Sequence, residues 1–436
     1  MKNLLIIHAH DVGRYCSPYG IAAQTPHLNR LARTGGIFRN MHTAAPTCSP
    51  SRAALWTGRT AHETGLLGLV HRGFDMKDRQ RHLARHLAAH GFHTALAGTQ
   101  HEYDYEQGEA VYQNVLPLRA HNALDRDEAV SEAATQFLRQ APEQPWMLSV
   151  GYFYPHRDFI PCPDPARANR VQVPAILPDT PEIRRDYADY LTSIEATDRE
   201  VGKLLDALDA HGQAEDTLVI FTTDHGIPFP EMKCHLTGHG TGIAMLMRSP
   251  GLCDDGRAVD ALTSNMDVVP TVCEILRVPT PADVHGVSMV PLLTHAAREI
   301  RDDVFAEVNF HAAAEPARAI RTTTHCLIKR FDDDPRRPLT NIDISPAKEA
   351  WLALGRGGEP LEPVVLHDLV RDPMERVNVA DDPAYADVRA DLEQRLMDWM
   401  RRTDDPLLRG PLVPPPGSRI NTRTSLSTSE GPFEPT

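Results

Sequence analysis

The sequence predicts an α/β fold, a mainly parallel sheet flanked by helices, with a smaller C-terminal α+β subdomain. Up to about residue 300, short apolar runs alternate with segments of helical periodicity, as in sheets whose strands are joined by crossover helices. Beyond that point, strand-like runs follow one another at hairpin-like spacing. The chain has 436 residues, 41% of them hydrophobic, and is therefore long enough to bury a sizeable core.

Four continuous apolar runs in the first part predict buried parallel strands. They span residues 4–8, 92–97, 146–152 and 217–222. Helical patterns between them predict helices over 26–35, over 79–91, around 130–138, and over a long stretch from about 181 to 211. The long helix has Pro181 near its start and Gly212 just past its end, the usual arrangement at helix boundaries.

The residue pattern of the C-terminal part predicts a second, smaller folded unit. Strands are expected over 304–308, 317–322, 326–330 and 363–366, with a last amphipathic helix from about residue 383. We therefore divide the chain into an α/β domain (1–300), an α+β subdomain (301–402) and a tail (403–436). The tail is rich in proline, serine and threonine, which favours an extended or disordered terminus. An arm that joins two copies of the chain is the alternative.

Charge and cysteine content narrow the function classes. With 45 basic and 59 acidic residues the net charge is −14, so no broad basic face is available for a nucleic-acid backbone. Seven cysteines without a short-spaced pair favour a reducing compartment. The first residues lack the pattern of a signal peptide, and no run of about 18 apolar residues follows. We therefore expect a cytoplasmic protein that contacts no membrane.

Polar side chains follow each of the four predicted parallel strands. In strand order they are His10 and Asp11, then His101, then His156, then Asp224 with His225. Because the carboxyl ends of parallel strands meet at one edge of a sheet, these side chains are expected to lie close together. The sequence thus predicts a functional site at that edge.

The most informative segment spans residues 46–59 and reads PTCSPSRAALWTGR. The pattern made by Cys48, Pro50 and Arg52 is short, but the match continues to the end of the segment. This segment resembles the signature of the type I sulfatases, which have the fold of the alkaline phosphatase superfamily. The resemblance therefore implies an alkaline-phosphatase-like sheet and a hydrolase of sulfate esters.

In that family the motif cysteine is oxidised after translation to Cα-formylglycine, so the resemblance implies the same modification of Cys48. A hydrated aldehyde carries two hydroxyl groups on one carbon: one attacks sulfur and expels the alcohol or amine, and the other then ejects sulfate. Arg52, one helical turn beyond, is placed to steady the hydrate at a helix N-terminus. A formylglycine-generating enzyme is therefore an implied partner during maturation.

The resemblance also implies a divalent metal ion. Asp11, Asp224 and His225 match the family's metal ligands, His10 stands where a second aspartate is usual, and the modified Cys48 would complete the set. Calcium, held by oxygen atoms, is the usual family metal. Imidazole ligands shift the preference toward manganese, zinc or iron.

Three further residues match catalytic positions of the family. His101 resembles the base that collapses the intermediate, His156 the proton donor to the leaving group, and Lys233 a lysine that holds sulfate oxygens. The departure is Thr99, which stands where the family carries a lysine, so a fixed positive charge is lost on the leaving-group side. Arg14, His71 and Arg72 are the candidates to replace it.

Two alternatives stay open. Phosphonate monoester hydrolases and phosphodiesterases of the same superfamily share the nucleophile motif and lack that lysine. Against them, residues 62–65 and 68–69 resemble the sulfatase branch that contains heparan N-sulfatase, so a sulfated small molecule or saccharide, as an ester or N-sulfate, is the expected substrate. The alternative from another class is a non-catalytic anion-binding protein in which Cys48 is unmodified.

Overall fold

A computed structural model describes residues 1–104, 110–120, 125–429 and 431–434. In chain order its strands are β1 (Asn3–Ala9), β2 (Gly36–Phe38), β3 (Met41–His42), β4 (His93–Gly98), β5 (Asn114–Val115), β6 (Trp146–Tyr152), β7 (Thr217–Thr223), β8 (Met245–Arg248), β9 (Arg257–Val259), β10 (Thr263–Ser264), β11 (Val304–Phe310), β12 (Ala314–Arg321), β13 (His325–Arg330) and β14 (Val364–Asp368). Its α-helices are α1 (Pro26–Arg33), α2 (Cys48–Thr57), α3 (Ala61–Thr64), α4 (Leu83–Ala89), α5 (Arg126–Arg139), α6 (Pro181–Ala210), α7 (Gly238–Thr241), α8 (Val268–Leu276), α9 (Val290–Leu293), α10 (Pro346–Ala353) and α11 (Ala386–Arg402).

The predicted α/β class is confirmed by the main sheet, which has the strand order β5–β4–β6–β1–β7–β8–β2–β9. Strands β5, β4, β6, β1 and β7 run parallel, and β8 is antiparallel to both of its neighbours. β1 lies between β6 and β7 in flush register, because Ala9 pairs with Tyr152 on one side and with Thr223 on the other. The loops that follow these three strands therefore leave the sheet side by side.

β1 is buried on both faces, which explains its continuous apolar sequence. Leu5 and Ile7 pack into the core that includes residues of α5 and α6. Leu4 and Ile6 point to the other face, into a core that includes residues of α2, α4 and α8. The sheet is thus sandwiched between helices, and its carboxyl edge is where polar groups can collect.

The C-terminal residues form a second sheet in the order β11–β12–β13–β14, antiparallel throughout, as the sequence predicts. The last helix, α11, covers one face of it, where Leu392, Leu396 and Trp399 join a core with Ile320 and Leu327. The boundaries 300 and 402 that we assign to this unit stay a prediction.

Two local expectations are wrong. The predicted helix over 79–91 is split into a 3₁₀ turn over Arg79–Arg81 and α4, because the ring of His82 accepts the N–H of Ala84 and starts a new helix there. The described part of the tail is not a free terminus. It folds back onto its own chain, where Ile420 is buried and Arg72 donates hydrogen bonds to Arg419 O and to the Asn421 side chain.

The seven cysteines are free thiols. Within the described residues, we find no helix that has both the length and the apolar surface to span a bilayer.

A buried ionic cluster joins the second sheet to α3. Arg318 on β12 donates to both carboxylate oxygens of Asp405, at 2.6 and 3.0 Å, and lies 3.5 Å from Glu307 on β11. His62 on α3 donates to Glu307 from its backbone and lies 3.0 Å from it through Nδ1. Burial raises the pKa of Glu307, but His62 and Arg318 outweigh burial and hold that pKa at about 2.

We expect Asp405→Asn to lower the free energy of unfolding by about 3 kcal/mol or more, because it leaves Arg318 as a buried charge without its main partner. Asparagine keeps an acceptor for the N–H of Leu407, so the change isolates the charge. The measurement is the shift in the urea midpoint of unfolding. The control is the neighbouring Asp404→Asn, whose side chain is 83% exposed and whose loss should cost less than about 1 kcal/mol. Equal shifts in the two variants would contradict a stabilising role for the buried ion pair between Arg318 and Asp405.

Candidate functional site

The ends of β1 and β7 are tied together by the residues that follow them. The Asp11 N–H donates to Asp224 Oδ1 at 2.9 Å, and the Val12 N–H donates to the Thr223 hydroxyl at 3.1 Å. Asp11 has a φ of 56°, a left-handed conformation that costs energy for a residue with a Cβ and is common at functional sites. The structure thus brings the two predicted acidic residues into direct contact.

Cys48 is the first residue of α2, and the helix N-terminus points at these carboxylates. The Ser51 hydroxyl, one turn further on, donates to Asp224 O at 2.6 Å and fixes the helix against the end of β7. Cys48 Sγ lies 3.2 Å from His225 Nε2. Burial raises the pKa of the Cys48 thiol, so the unmodified side chain is a neutral thiol and a poor nucleophile.

Four side chains offer possible metal-ligand atoms that all lie within 4.8 Å of one another: Asp11, Cys48, Asp224 and His225. His225 Nε2 is 3.3 Å from Asp11 Oδ1 and 3.7 Å from Asp224 Oδ1. Asp11 Oδ1 and His10 Nε2 are buried without a hydrogen-bond partner, and His10 Nδ1 lies 3.0 Å from Asp224 Oδ2. Unpaired buried donors and acceptors are rare in native proteins, so this set fits a bound divalent cation.

The charges around these ligands are unevenly balanced. Burial raises the pKa of Asp11 to about 6, against the opposing effects of Lys233 and His225. For Asp224 burial acts in the same direction, but His225 and Arg52 outweigh it and hold its pKa well below its usual range. Asp11 is therefore the carboxylate whose charge is least compensated by the protein, and a cation would relieve it.

Arg52 is buried one turn after Cys48. Its Nη2 donates to Asp224 Oδ2 at 3.2 Å, and its Nη1 hydrogen bonds to the ring Nδ1 of His8. Burial, and then the charge of Arg52, lower the pKa of His8, so that ring is a neutral acceptor. The His8 Nε2 contacts the Ser149 hydroxyl at 3.0 Å. His8 thus orients Arg52 and does not belong to the ligand cluster.

Three predicted histidines gather beside the ligands. The His10 ring lies 5.8 Å from that of His101 and 5.6 Å from that of His156, measured between centroids. His101 Nε2 hydrogen bonds to His71 Nδ1 at 3.1 Å, and these two rings stack. His156 Nδ1 donates to Arg157 O at 2.7 Å, which leaves Nε2 facing Asp11 Oδ2 at 4.0 Å. Burial lowers the pKa of His10, His101 and His156.

Lys233 is held between two carboxylates. Its Nζ lies 3.4 Å from Asp11 Oδ2 and 3.1 Å from Asp343 Oδ2. Burial lowers the pKa of Lys233, but Asp11 and Asp343 outweigh it, so the ammonium group stays charged. Sequence reasoning missed Asp343, which lies in an irregular loop 110 positions along the chain and belongs to no motif.

A second residue that sequence reasoning missed is His311, at the end of β11. Its ring is buried, its Nδ1 has no hydrogen-bond partner, and the charges of Lys233 and Asp343 act on it. Burial lowers its pKa. His311 therefore lies within electrostatic range of Lys233 and Asp343, and no periodic signal in the sequence marks it.

The structure also shows what surrounds Thr99. Arg14 donates to Met41 O at 2.7 Å, and Arg72 donates to Arg419 O in the tail, so neither of these contacts is to Thr99. His71 reaches His101, as described above. The cation that contacts Thr99 is Arg126, which donates from Nη2 to the Thr99 hydroxyl at 3.0 Å and which the sequence did not single out.

Known proteins resemble this chain over most of its length. The family model "Sulfatase" matches residues 2–278, and the model "N-sulphoglucosamine sulphohydrolase, C-terminal" matches residues 233–349. The human N-sulphoglucosamine sulphohydrolase is 29% identical over 473 residues, which cover 94% of this chain and 92% of that protein.

Solved structures show the same fold. A putative sulfatase from Bacteroides thetaiotaomicron superposes with a TM-score of 0.74 at 19% identity, covering 98% of this chain and 99% of that one. The phosphonate monoester hydrolase of Agrobacterium radiobacter gives a TM-score of 0.70 at 20% identity, covering 94% and 97%. The first family match spans more than half of the chain, and it includes the strand ends and the α2 segment described above. The chain belongs to the sulfatase family, hydrolases of sulfate esters within the alkaline phosphatase superfamily.

Proposed function

We propose that this enzyme removes sulfate from a saccharide, as an ester or an N-sulfate, through a formylglycine formed from Cys48. The observation that carries the proposal is the placement of Cys48 at the N-terminus of α2, with its Sγ among the ligand atoms of Asp11, Asp224 and His225. A nucleophile on this carbon would stand at the positive end of a helix dipole and beside a cation site. The similarity to N-sulphoglucosamine sulphohydrolase over both family matches favours an N-sulfated amino sugar.

Asp11, Asp224 and His225, with His10 and the modified Cys48, are the residues that would hold the divalent cation. When bound, such an ion makes an oxygen nucleophile more acidic and neutralises charge on the sulfate group. Calcium is implied by resemblance, but two imidazoles in the set favour manganese or zinc. The buried Nε2 of His10, which has no hydrogen-bond partner, and the 3.0 Å distance between its Nδ1 and Asp224 Oδ2 support its place in this set.

The cationic side chains of the site bind the substrate anion. Arg52 and Lys233 are both buried, and each keeps N–H donors that a tetrahedral anion can use. Lys233 shares its charge with Asp11 and Asp343, so an entering sulfate competes with these two carboxylates for the ammonium group. This competition favours a singly charged sulfate ester or N-sulfate over a dianion, because each added negative charge meets Asp343 at close range.

His101 and His156 move protons in this scheme. Because burial keeps His101 neutral, it can accept a proton as a base, and His71 fixes its ring through the hydrogen bond at Nε2. His156 is held with Nε2 toward the site. A bound anion raises the pKa of a nearby imidazole, so the approach of substrate charges His156 and prepares it to donate to the leaving group.

A phosphonate or phosphodiester hydrolase is the second candidate, favoured by Thr99 in place of the lysine and by His225 after the metal aspartate. Such substrates also carry one negative charge on a tetrahedral centre. The two candidate functions therefore use the same residues, and only the rates measured for each substrate class distinguish them.

Modification of Cys48 is the first testable consequence. After co-expression with a formylglycine-generating enzyme, mass spectrometry of the Cys48 peptide should show an aldehyde in place of the thiol. Cys48→Ala should then reduce kcat/KM by at least about a thousandfold, because it removes the nucleophile. Cys162→Ala is the matched control, since Cys162 is a free thiol outside the ligand cluster, and it should keep full activity. An active protein whose Cys48 is an unmodified thiol would contradict the proposal.

The substrate class is the second consequence. We expect kcat/KM for N-sulfated glucosamine, an O-sulfated sugar and an aryl sulfate to exceed that for an aryl phosphonate by about tenfold or more. The N-sulfated sugar should be the best of the three sulfates. Cys48→Ala protein, purified in the same way, gives the background rate to subtract. A phosphonate turned over about ten times faster than every sulfate would establish the second candidate instead.

A further inference from the structure

Arg126 is the first residue of α5. Its guanidinium places a positive charge beside Thr99, which stands where the family carries a lysine. Its guanidinium carbon lies 4.9 Å from the centroid of the Phe153 ring, a cation–π distance. Its Nη2 donates to the Thr99 hydroxyl at 3.0 Å. Two contacts from different elements, one after β4 and one after β6, therefore fix the position of the guanidinium.

The neighbouring residue makes this placement rigid. Asp127 is buried, and its carboxylate accepts the backbone N–H groups of Phe153 at 2.8 Å and of Tyr154 at 2.9 Å. The first turn of α5 and the loop after β6 are thus joined by two charge-assisted hydrogen bonds in addition to the cation–π contact. The start of α5 and the loop after β6 therefore form one fixed wall, which we define by Arg126, Asp127, Phe153 and Tyr154.

Phe153 connects this wall to the reacting groups. Its ring lies 4.9 Å from the ring of His156 and 6.1 Å from that of His10, between centroids. Arg126 therefore stands one aromatic ring away from the proposed proton donor. Because His156 is the proposed proton donor to the leaving group, Arg126 is placed on the leaving-group side of the site, while Arg52 and Lys233 contact the ligand carboxylates.

The positive charge of Arg126 is available to a ligand. Its side chain is partly exposed, and no carboxylate among the described residues forms an ion pair with it. Elsewhere in the site, Lys233 and Arg52 each contact a carboxylate. Among the described residues, the Arg126 guanidinium makes one hydrogen bond, to Thr99, so it keeps N–H donors that match the two oxygens of a carboxylate or sulfate.

We propose that Arg126 forms a subsite for a second anionic group of the saccharide, a sulfate or a carboxylate, carried beside the sulfate that is removed. The subsite rests on the proposed function for its first anchor, the scissile sulfate. It assigns a residue outside the family signature to substrate selection. It also gives a reason why a threonine, which can accept from Arg126, stands at position 99.

The test measures binding without turnover, in a Cys48→Ala background. Calorimetry gives Kd for three ligands: glucosamine N-sulfate, glucosamine N,6-O-disulfate, and a disaccharide of N-sulfated glucosamine and a uronic acid. Adding Arg126→Gln should weaken the binding of at least one of the two doubly anionic ligands by about tenfold or more, and that of glucosamine N-sulfate by less than about threefold. The ligand that responds tells whether the second group is a sulfate or a carboxylate.

Arg401→Gln is the matched control, because it removes the same charge from an exposed position on α11. Arg126→Lys should recover only part of the affinity, since lysine keeps the charge and loses the planar edge. Thermal melting of each variant checks that the wall stays folded. Equal weakening for all three ligands, or no weakening for any, would overturn the subsite.

The two proposals fail in different ways. If the matured wild-type protein turns over no sulfate while Arg126→Gln still selectively weakens doubly anionic ligands, the proposed function fails and the subsite stands. If sulfates are turned over and Arg126→Gln changes no Kd, the subsite alone is overturned.

Discussion

The contact between two buried carboxylates is the constraint on which the rest of this structure depends. Asp11 and Asp224 follow neighbouring parallel strands in flush register, and one hydrogen bond from the Asp11 backbone holds them together. Two negative charges this close, and away from water, repel each other strongly. Arg52 contacts Asp224 and Lys233 contacts Asp11, so each carboxylate has a positive neighbour. Ligand atoms of both also lie within 4.8 Å of those of Cys48 and His225, a set that fits a divalent cation.

The C-terminal half of the chain, including the tail, also helps to position the charged groups of the site. Asp343 and His311 reach the site from the C-terminal half, and Asp343 shares Lys233 with Asp11. The tail ties down Arg72, next to the His71 that fixes the ring of His101. A site for a small anion is thus formed inside a protein of net charge −14, because its cations are few, buried and individually positioned.

Much of this was predictable from the sequence, and for physical reasons. Parallel strands are buried on both faces and appear as apolar runs, so the residues that follow them, such as His156 and Asp224, could be placed at one edge. The segment around Cys48 could be recognised because its residue types stand at a fixed spacing: the proposed nucleophile begins a helix, and an arginine follows one turn later. The roles of these residues remain proposals.

The residues that were missed share a different property. Asp343 and His311 reach the site from a loop and from a strand end of the C-terminal half, and Arg126 begins a helix, so no period or spacing links them to it. Their contacts depend on how distant segments pack, which sequence patterns do not encode. The broken helix at His82 has a similar cause, since a single side-chain cap overrode a continuous helical pattern.

We propose that the cluster around Asp11 binds one divalent cation beside a modified Cys48. The most direct measurement is anomalous diffraction from a crystal of the matured protein, collected on both sides of the manganese and zinc absorption edges. We expect one metal peak bonded to Asp11, Asp224 and His225, in contact with an oxygen of the modified residue 48, and with His10 as a further ligand. A matured, active enzyme with no metal peak in this cluster would contradict it.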